Sequence, residues 1–445
     1  VQTLIEQAKA VASGDVSSSE LVQHALDAID RTQPLLNAFT QVFSDEALAQ
    51  SKSPKPGPLS GVPIAVKDLY DLAGAVSSGC CAAYEDRRAS TDSVVVAKLK
   101  DAGAIIVGKT NQHELACGAT NLTSSHGATR NPWDRERITG GSSGGSGAAV
   151  AAGVVQMAMG SDTGGSIRIP SSFCGVTGLK PTHGSVSLRG AMPMCPSLDT
   201  AGALARTAED CYLVHTILAG PDESYLWSRH AEPNATQPKR VGIARSFFDR
   251  VHPETRAGVE DAAKLFESLG FEIVETQGPS IDEAFGTFGT RLTEVAACYR
   301  DLWDNTIISP GLQQFINLGR SITGPDAFAG RELGLKITHD FATAFKDADV
   351  LLAPCTAFPA PKTTDWEIAV ENGSVDVHQG GCARLTLPVN VAGLPAVAFP
   401  VGSSSDGTPI GAQLIGREWS ERQLSDVVTA YQSATDYHLR MAGVA

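Results

Sequence analysis

The sequence predicts an α/β fold, in which helices alternate with short apolar strands. Apolar residues make up 42% and charged residues 19% of the 445 positions, a globular balance that excludes a disordered chain. Apolar runs of strand length, bounded by Gly and Pro, are separated by segments with helical periodicity. No apolar run reaches the roughly 18 residues of a membrane span. The longest, Gly147 to Gly160, is short and rich in Ala and Gly.

The chain opens as an amphipathic helix, without the basic segment and apolar core of a signal peptide. The missing initiator Met is read as trimming or processing. Ser17-Ser-Ser-Glu20 is a capping box, and the helix behind it carries Leu21, Ala25 and Ile29 on one face. Prolines 54, 56, 58 and 63 require a loop, which leads into a short buried strand at Val62 to Val66. Thr91-Asp92 starts a helix with Val95, Leu99 and Ala102 on its apolar face, and Gly103 stops it. Ala104 to Val107 is the next strand. Later strands are expected near Phe271–Val274, Val350–Leu352, Ala396–Val401 and Ile410–Ile415. Residues 254–348 read mostly helical, and 357–381 read as one long loop, a candidate pocket rim.

Lys and Arg number 35 against 49 Asp and Glu, a net charge of −14. This acidity argues against nucleic acid or an anionic membrane as partner. Nine scattered cysteines include no C-x-x-C pair, and ten histidines show no ligand spacing. Neither a disulfide framework nor a metal site is expected, and a cytoplasmic, reducing compartment fits.

Two motifs invite chemistry that their context denies. Gly103 to Thr110 satisfies G-x-x-x-x-G-K-[ST], but the residues between its glycines are Ala-Ile-Ile-Val, which form the strand itself. A phosphate loop needs its strand before the first glycine and a flexible turn between the two. Gly141-Ser-Ser143-Gly-Gly145 matches G-x-S-x-G, yet no buried strand precedes it, and the later His339 and His378 have no persuasive acidic partner in sequence.

A longer pattern carries more. Gly140-Gly-Ser-Ser-Gly-Gly-Ser-Gly147 and Gly160-Ser-Asp-Thr-Gly-Gly-Ser-Ile-Arg-Ile-Pro170 flank a segment the length of one short buried helix. Asp162-Thr-Gly-Gly-Ser166 offers successive backbone N–H groups with few side chains in the way, a nest for anionic oxygen. Each serine alone reads as a turn residue or cap; two such loops around one helix suggest a nucleophile. No histidine lies nearby, so a desolvated lysine would serve as base. Local sequence does not choose among Lys67, Lys109 and Lys180.

These blocks resemble the amidase signature family. The likeness runs from Gly57 to about Gly416 and is most specific from Lys67 to Thr182. Gly61-Val-Pro-Ile-Ala-Val-Lys67-Asp68, Asn131-Pro-Trp133 and Gly178-Leu-Lys-Pro-Thr182 match its motifs, as do Pro196-Ser-Leu-Asp-Thr200, Asn390 to Pro395 and Pro409 to Gln413. The resemblance implies one α/β/α domain over residues 1–445, built around a large twisted mixed sheet. Its core signature covers about 57–215, and a variable, mostly helical, substrate-lining region covers about 221–381. By motif position Ser166 is the nucleophile, Ser142 the bridging serine after a cis peptide bond, and Lys67 the base. The N–H groups of Thr163, Gly164, Gly165 and Ser166 take the oxyanion-hole positions, with no cofactor and no metal. Gly202-Ala203 stands where many members read Gly-Pro, which implies a local loop change.

The expected activity is cleavage of C–N bonds in neutral, partly apolar amides, with esters and carbamates as further substrates, by a monomer or homodimer. The alternative is the glutaminase subunit of a tRNA-dependent amidotransferase, although that subunit's usual Gln after Ser-Ile-Arg is Ile169 here. A third reading is nucleotide binding on Gly103–Thr110. Phe285, Phe288, Leu292 and Trp303 recur at near-helical spacing, as pocket walls or as core packing.

Overall fold

The computed structural model describes residues 3–231, 237–378 and 380–444. Strands β1 (Phe39–Val42), β2 (Pro63–Lys67), β3 (Ile105–Thr110), β4 (Met157–Asp162), β5 (Thr177–Lys180) and β6 (Thr200–Ala205) come first. Then follow β7 (Arg240–Ala244), β8 (Glu272–Thr276), β9 (Val350–Pro354), β10 (Glu367–Val370), β11 (Gly373–Asp376), β12 (Ala396–Ser403) and β13 (Pro409–Ile415). Eleven of them form one sheet in the order β1-β3-β2-β4-β6-β5-β12-β13-β9-β7-β8. β2 runs parallel to β3 and β4, and β7 parallel to β8 and β9; the other pairings are antiparallel.

Alternation along the central strands gives the sheet two apolar faces. Ile64, Val66, Ile106, Met157 and Met159 join one core, whereas Ala65, Ile105, Val107 and Ala158 join the other. A period of two requires this when both faces are covered. The second core contains the helix Gly144–Ala151 and Val22, Leu26 and Ile29 of the helix Ser18–Leu36. That latter helix has the expected capping box, with Ser17 Oγ accepting from Glu20 N at 3.1 Å. Among the described residues no helix is long and apolar enough to cross a membrane.

The structure departs from the expected elements in instructive places. The Ala-rich run after Gly147 is not one helix: the helix ends at Ala151, Gly153 turns at φ +69°, and β4 follows. β1 and β4–β7 escape the apolar-run signal because they are short and rich in Gly, Ala, Thr or polar residues. The expected loop 357–381 holds the hairpin β10–β11, which turns at Asn372-Gly373 with both φ angles positive. Asn-Gly is a strong short-range hairpin signal. Residues 254–348 are mostly helical, in Pro253–Ser268, Ile281–Cys298, Pro310–Ser321 and Gly324–Ala344.

Candidate active site

The site grows from the ends of two adjacent parallel strands. β2 and β4 pair Val66 with Met159, so Lys67 and Ser161 leave the sheet at the same edge. Lys67 is fully buried, and its Nζ lies 2.7 Å from Ser142 Oγ and 2.8 Å from Ser161 Oγ. Burial drives its pKa down to about 7, while Asp162 and Asp199 resist that fall. Taking an ammonium out of water favours the neutral amine, and a neutral amine beside a hydroxyl can accept its proton.

The Gly141–Ser142 peptide is cis. The segment 113–121 clasps it from both sides: Gly141 N donates to Ala119 O at 2.7 Å, and His113 N donates to Ser142 O at 3.0 Å. Ser142 is fully buried. Its neighbour Ser143 is spoken for, because its Oγ donates to Ser161 O at 3.2 Å and accepts from Ser161 N at 3.3 Å. That pairing removes Ser143 as an elbow nucleophile.

After β4 the chain makes the turn 163–166, held from beneath by Asp162. Its carboxylate accepts from Gly165 N at 2.9 Å and Ile167 N at 3.1 Å, and it pairs with Arg168 at 3.0 Å. Burial would raise this carboxyl, but Arg168 overrides it and brings the pKa to about 2. Gly165 has φ +129°, and a Cβ there would sit 2.1 Å from Thr386 Oγ1, so the position admits only glycine. Ser166 Oγ makes no hydrogen bond among the described residues. The N–H groups of Thr163, Gly164 and Ser166 likewise meet no protein acceptor there, whereas that of Gly165 is engaged by Asp162. Three of the four expected oxyanion donors are therefore open.

The other lysines have different work. Lys109 lies within β3, where its Nζ donates to Val76 O and Ser77 Oγ and pairs with Asp68 at 3.4 Å, all enclosed. Gly103–Thr110 is thus strand and ion pair, without a phosphate cradle. Lys180 donates to Pro181 O at 2.8 Å and to neither serine.

A cavity of about 250 Å³ opens beside Ser161 and Thr163. Leu69, Ala116, Met192, Met194, Asp199 and Tyr225 are among its walls. Asp199, which the sequence pattern alone does not single out, accepts from Thr163 Oγ1 at 2.6 Å and from the N–H groups of Met194 and Cys195. Ser161 is missed in the same way, although it lies inside the second glycine-rich block; only the β2–β4 pairing reveals it. The four apolar candidates of the helical region do not line this cavity. Phe285 packs at Gly380, Phe288 against Phe315, and Leu292 against Gly319. Trp303 donates to Ala296 O under the Arg320 guanidinium. Among the described residues no group of three or more His, Cys, Asp or Glu side chains is placed to hold a metal.

Comparison with known proteins shows the family of the chain. The Amidase family model matches residues 20–424. The glutamyl-tRNA(Gln) amidotransferase A-subunit of Acinetobacter baumannii is 35% identical, over 99% of this chain and 97% of its own. A solved chain of a vestigial protein complex that reveals the evolutionary origins of an s-triazine catabolic enzyme superposes with a TM-score of 0.90 at 32% identity, covering 97% of this chain and 98% of its own. The 6-aminohexanoate cyclic dimer hydrolase gives 0.87 at 26% identity, covering 100% and 99%. The chain belongs to the amidase signature family and is a C–N hydrolase of that fold.

Proposed function

We propose that the protein hydrolyses small, neutral, partly apolar amides through an acyl-enzyme on Ser166, with esters and carbamates as further substrates. The observation that carries this reading is the 2.7 Å contact of a fully buried Lys67 with Ser142. Ser166 Oγ attacks the carbonyl carbon and passes its proton through Ser142 to neutral Lys67. The open N–H groups of the turn receive the oxyanion. As the C–N bond breaks, the relay returns the proton to the leaving nitrogen, and water then cleaves the ester to release the acid. Ser166 Oγ has no competing protein partner, so its hydroxyl can turn toward Ser142 when substrate arrives; catalytic hydrogen bonds commonly tighten only in the complex. The cavity walls are mostly apolar, with Leu69, Ala116, Met192 and Met194, and the charged Arg189 and Asp199 among them are engaged by Asp222 and Thr163, which favours a neutral substrate.

The likeness to the amidotransferase A-subunit over nearly the whole chain favours a second reading, a glutaminase working with partner chains in place of a monomer or homodimer. Ile169 weighs against it: the side chain is buried and packs under Gly140 and Gly165, where the resemblance leads one to expect Gln. A panel of neutral amides, esters, carbamates and glutamine separates the two. Turnover of neutral amides by the protein alone supports the first reading. Activity confined to glutamine, appearing only with a co-purifying chain, replaces it with the second.

A further inference from the structure

The helix Ile281–Cys298 supplies no residue to the cavity beside Thr163, yet it holds one of the cavity's walls. That wall is the segment 192–199, which contributes Met192, Pro193, Met194, Pro196 and Asp199. One end is tied to the turn of the nucleophile, since Asp199 accepts from Thr163 Oγ1 at 2.6 Å. The middle is tied to the helix through Ser197. Ser197 N donates to Glu294 Oε2 at 2.9 Å, and Ser197 Oγ donates to Glu294 Oε1 at 2.6 Å. Arg291 Nη1 donates to the same hydroxyl at 2.8 Å. A second tie lies just beyond the helix, where Tyr299 OH donates to Pro193 O at 2.5 Å.

This arrangement is an unusual use of charge. Glu294 forms no ion pair among the described residues, and both its oxygens serve one serine. Hydrogen bonds to a carboxylate are shorter and about twice as strong as neutral ones, and two to one residue fix its backbone as well as its side chain. We propose that Glu294 and Ser197 are positioning residues for substrate choice: the helical region sets specificity by fixing the 192–199 wall and not by touching substrate. The proposal rests on the reading that this cavity receives the substrate of Ser166. It gives the helical region a part in selectivity although Phe285, Phe288, Leu292 and Trp303 stand away from the cavity.

The test uses the full chain and a series of neutral amides graded in size, with kcat and KM measured for each. Labelling of Ser166 by a small fluorophosphonate is followed in parallel. Ser197→Ala should change the ratio of KM between the largest and smallest amide by about tenfold, the scale of one methylene-sized wall contact. kcat for the smallest amide and the labelling rate should stay within about twofold of wild type, as expected when only binding geometry is lost. Ser197→Thr, which keeps the hydroxyl, should restore the wild-type order. Tyr299→Phe releases the other tie, should alter the order independently, and decides the matter if Ser197→Ala does not fold. An unchanged preference order in the folded variants overturns the proposal, as does an equal fall in kcat for every amide. Failure of the underlying reading looks different: Met192→Trp, which fills the cavity itself, would leave KM for every amide unchanged while Ser166 is still labelled.

Discussion

Residues 57–215 and residues 221–381 spend their charges in opposite ways. In the first region Lys67, Asp68, Lys109, Asp162, Arg168 and Lys180 are all fully buried. In the second, the pairs Arg245–Glu275, Arg250–Asp282 and Lys336–Glu283 lie at the surface. Burying a charge costs several kcal/mol even when it is partnered, whereas a surface pair is screened and contributes little. Among these buried groups Lys67 is the one the proposed proton relay uses, whereas Lys109–Asp68 and Arg168–Asp162 are enclosed ion pairs. The helical region is held by amphipathic packing; residues 221–381 reach the cavity through Tyr225 and brace its wall through the Ser197 and Pro193 ties.

The largest effect that would sharpen this contrast is on rate. Lys67→Ala should lower the acylation rate by roughly two to four orders of magnitude, the range of general acid–base catalysis. Single-turnover kinetics on a neutral amide measures this directly. Full turnover in that variant would mean that another base operates.

Next comes stability. Asp162→Asn leaves Arg168 buried without its counter-charge and should cost about 3–5 kcal/mol, read from denaturant unfolding. The paired experiment in the helical region is the smallest effect: Lys336→Ala removes an exposed partner of Glu283 and should leave the unfolding midpoint in place. Equal losses at the two sites would erase the distinction between the regions.

The readability of the sequence follows the same division. The glycine-rich turns are legible because backbone geometry leaves little choice, as the Gly165 contact with Thr386 shows. The helices of 254–348 are legible from their periodicity. Nothing local marks Lys67 as the lysine that meets Ser142, since its burial and low pKa come from β3, β4 and the 140–147 loop folding around it. β4 is hidden because an Ala- and Gly-rich run suits helix and buried strand alike. The Ser197–Glu294 tie joins residues 97 positions apart, beyond any spacing rule. The hairpin at Asn372-Gly373 is different: its signal is present in the sequence, and the expectation of a loop passed over it.

In the proposed mechanism Lys67 serves as a neutral base to Ser166 through Ser142. Its most direct test is the pH dependence of Ser166 labelling by a neutral fluorophosphonate. With Lys67 brought to about 7 by burial, the rate should be low in acid, rise through about pH 7 as the ammonium loses its proton, and level off above. Lys180 is also brought down to about 7 by burial, so the profile must be repeated in Lys67→Met, where the rise should vanish. A rise that survives in Lys67→Met, or a wild-type midpoint near the ordinary lysine value of about 10.4, would mean that Lys67 is not the base.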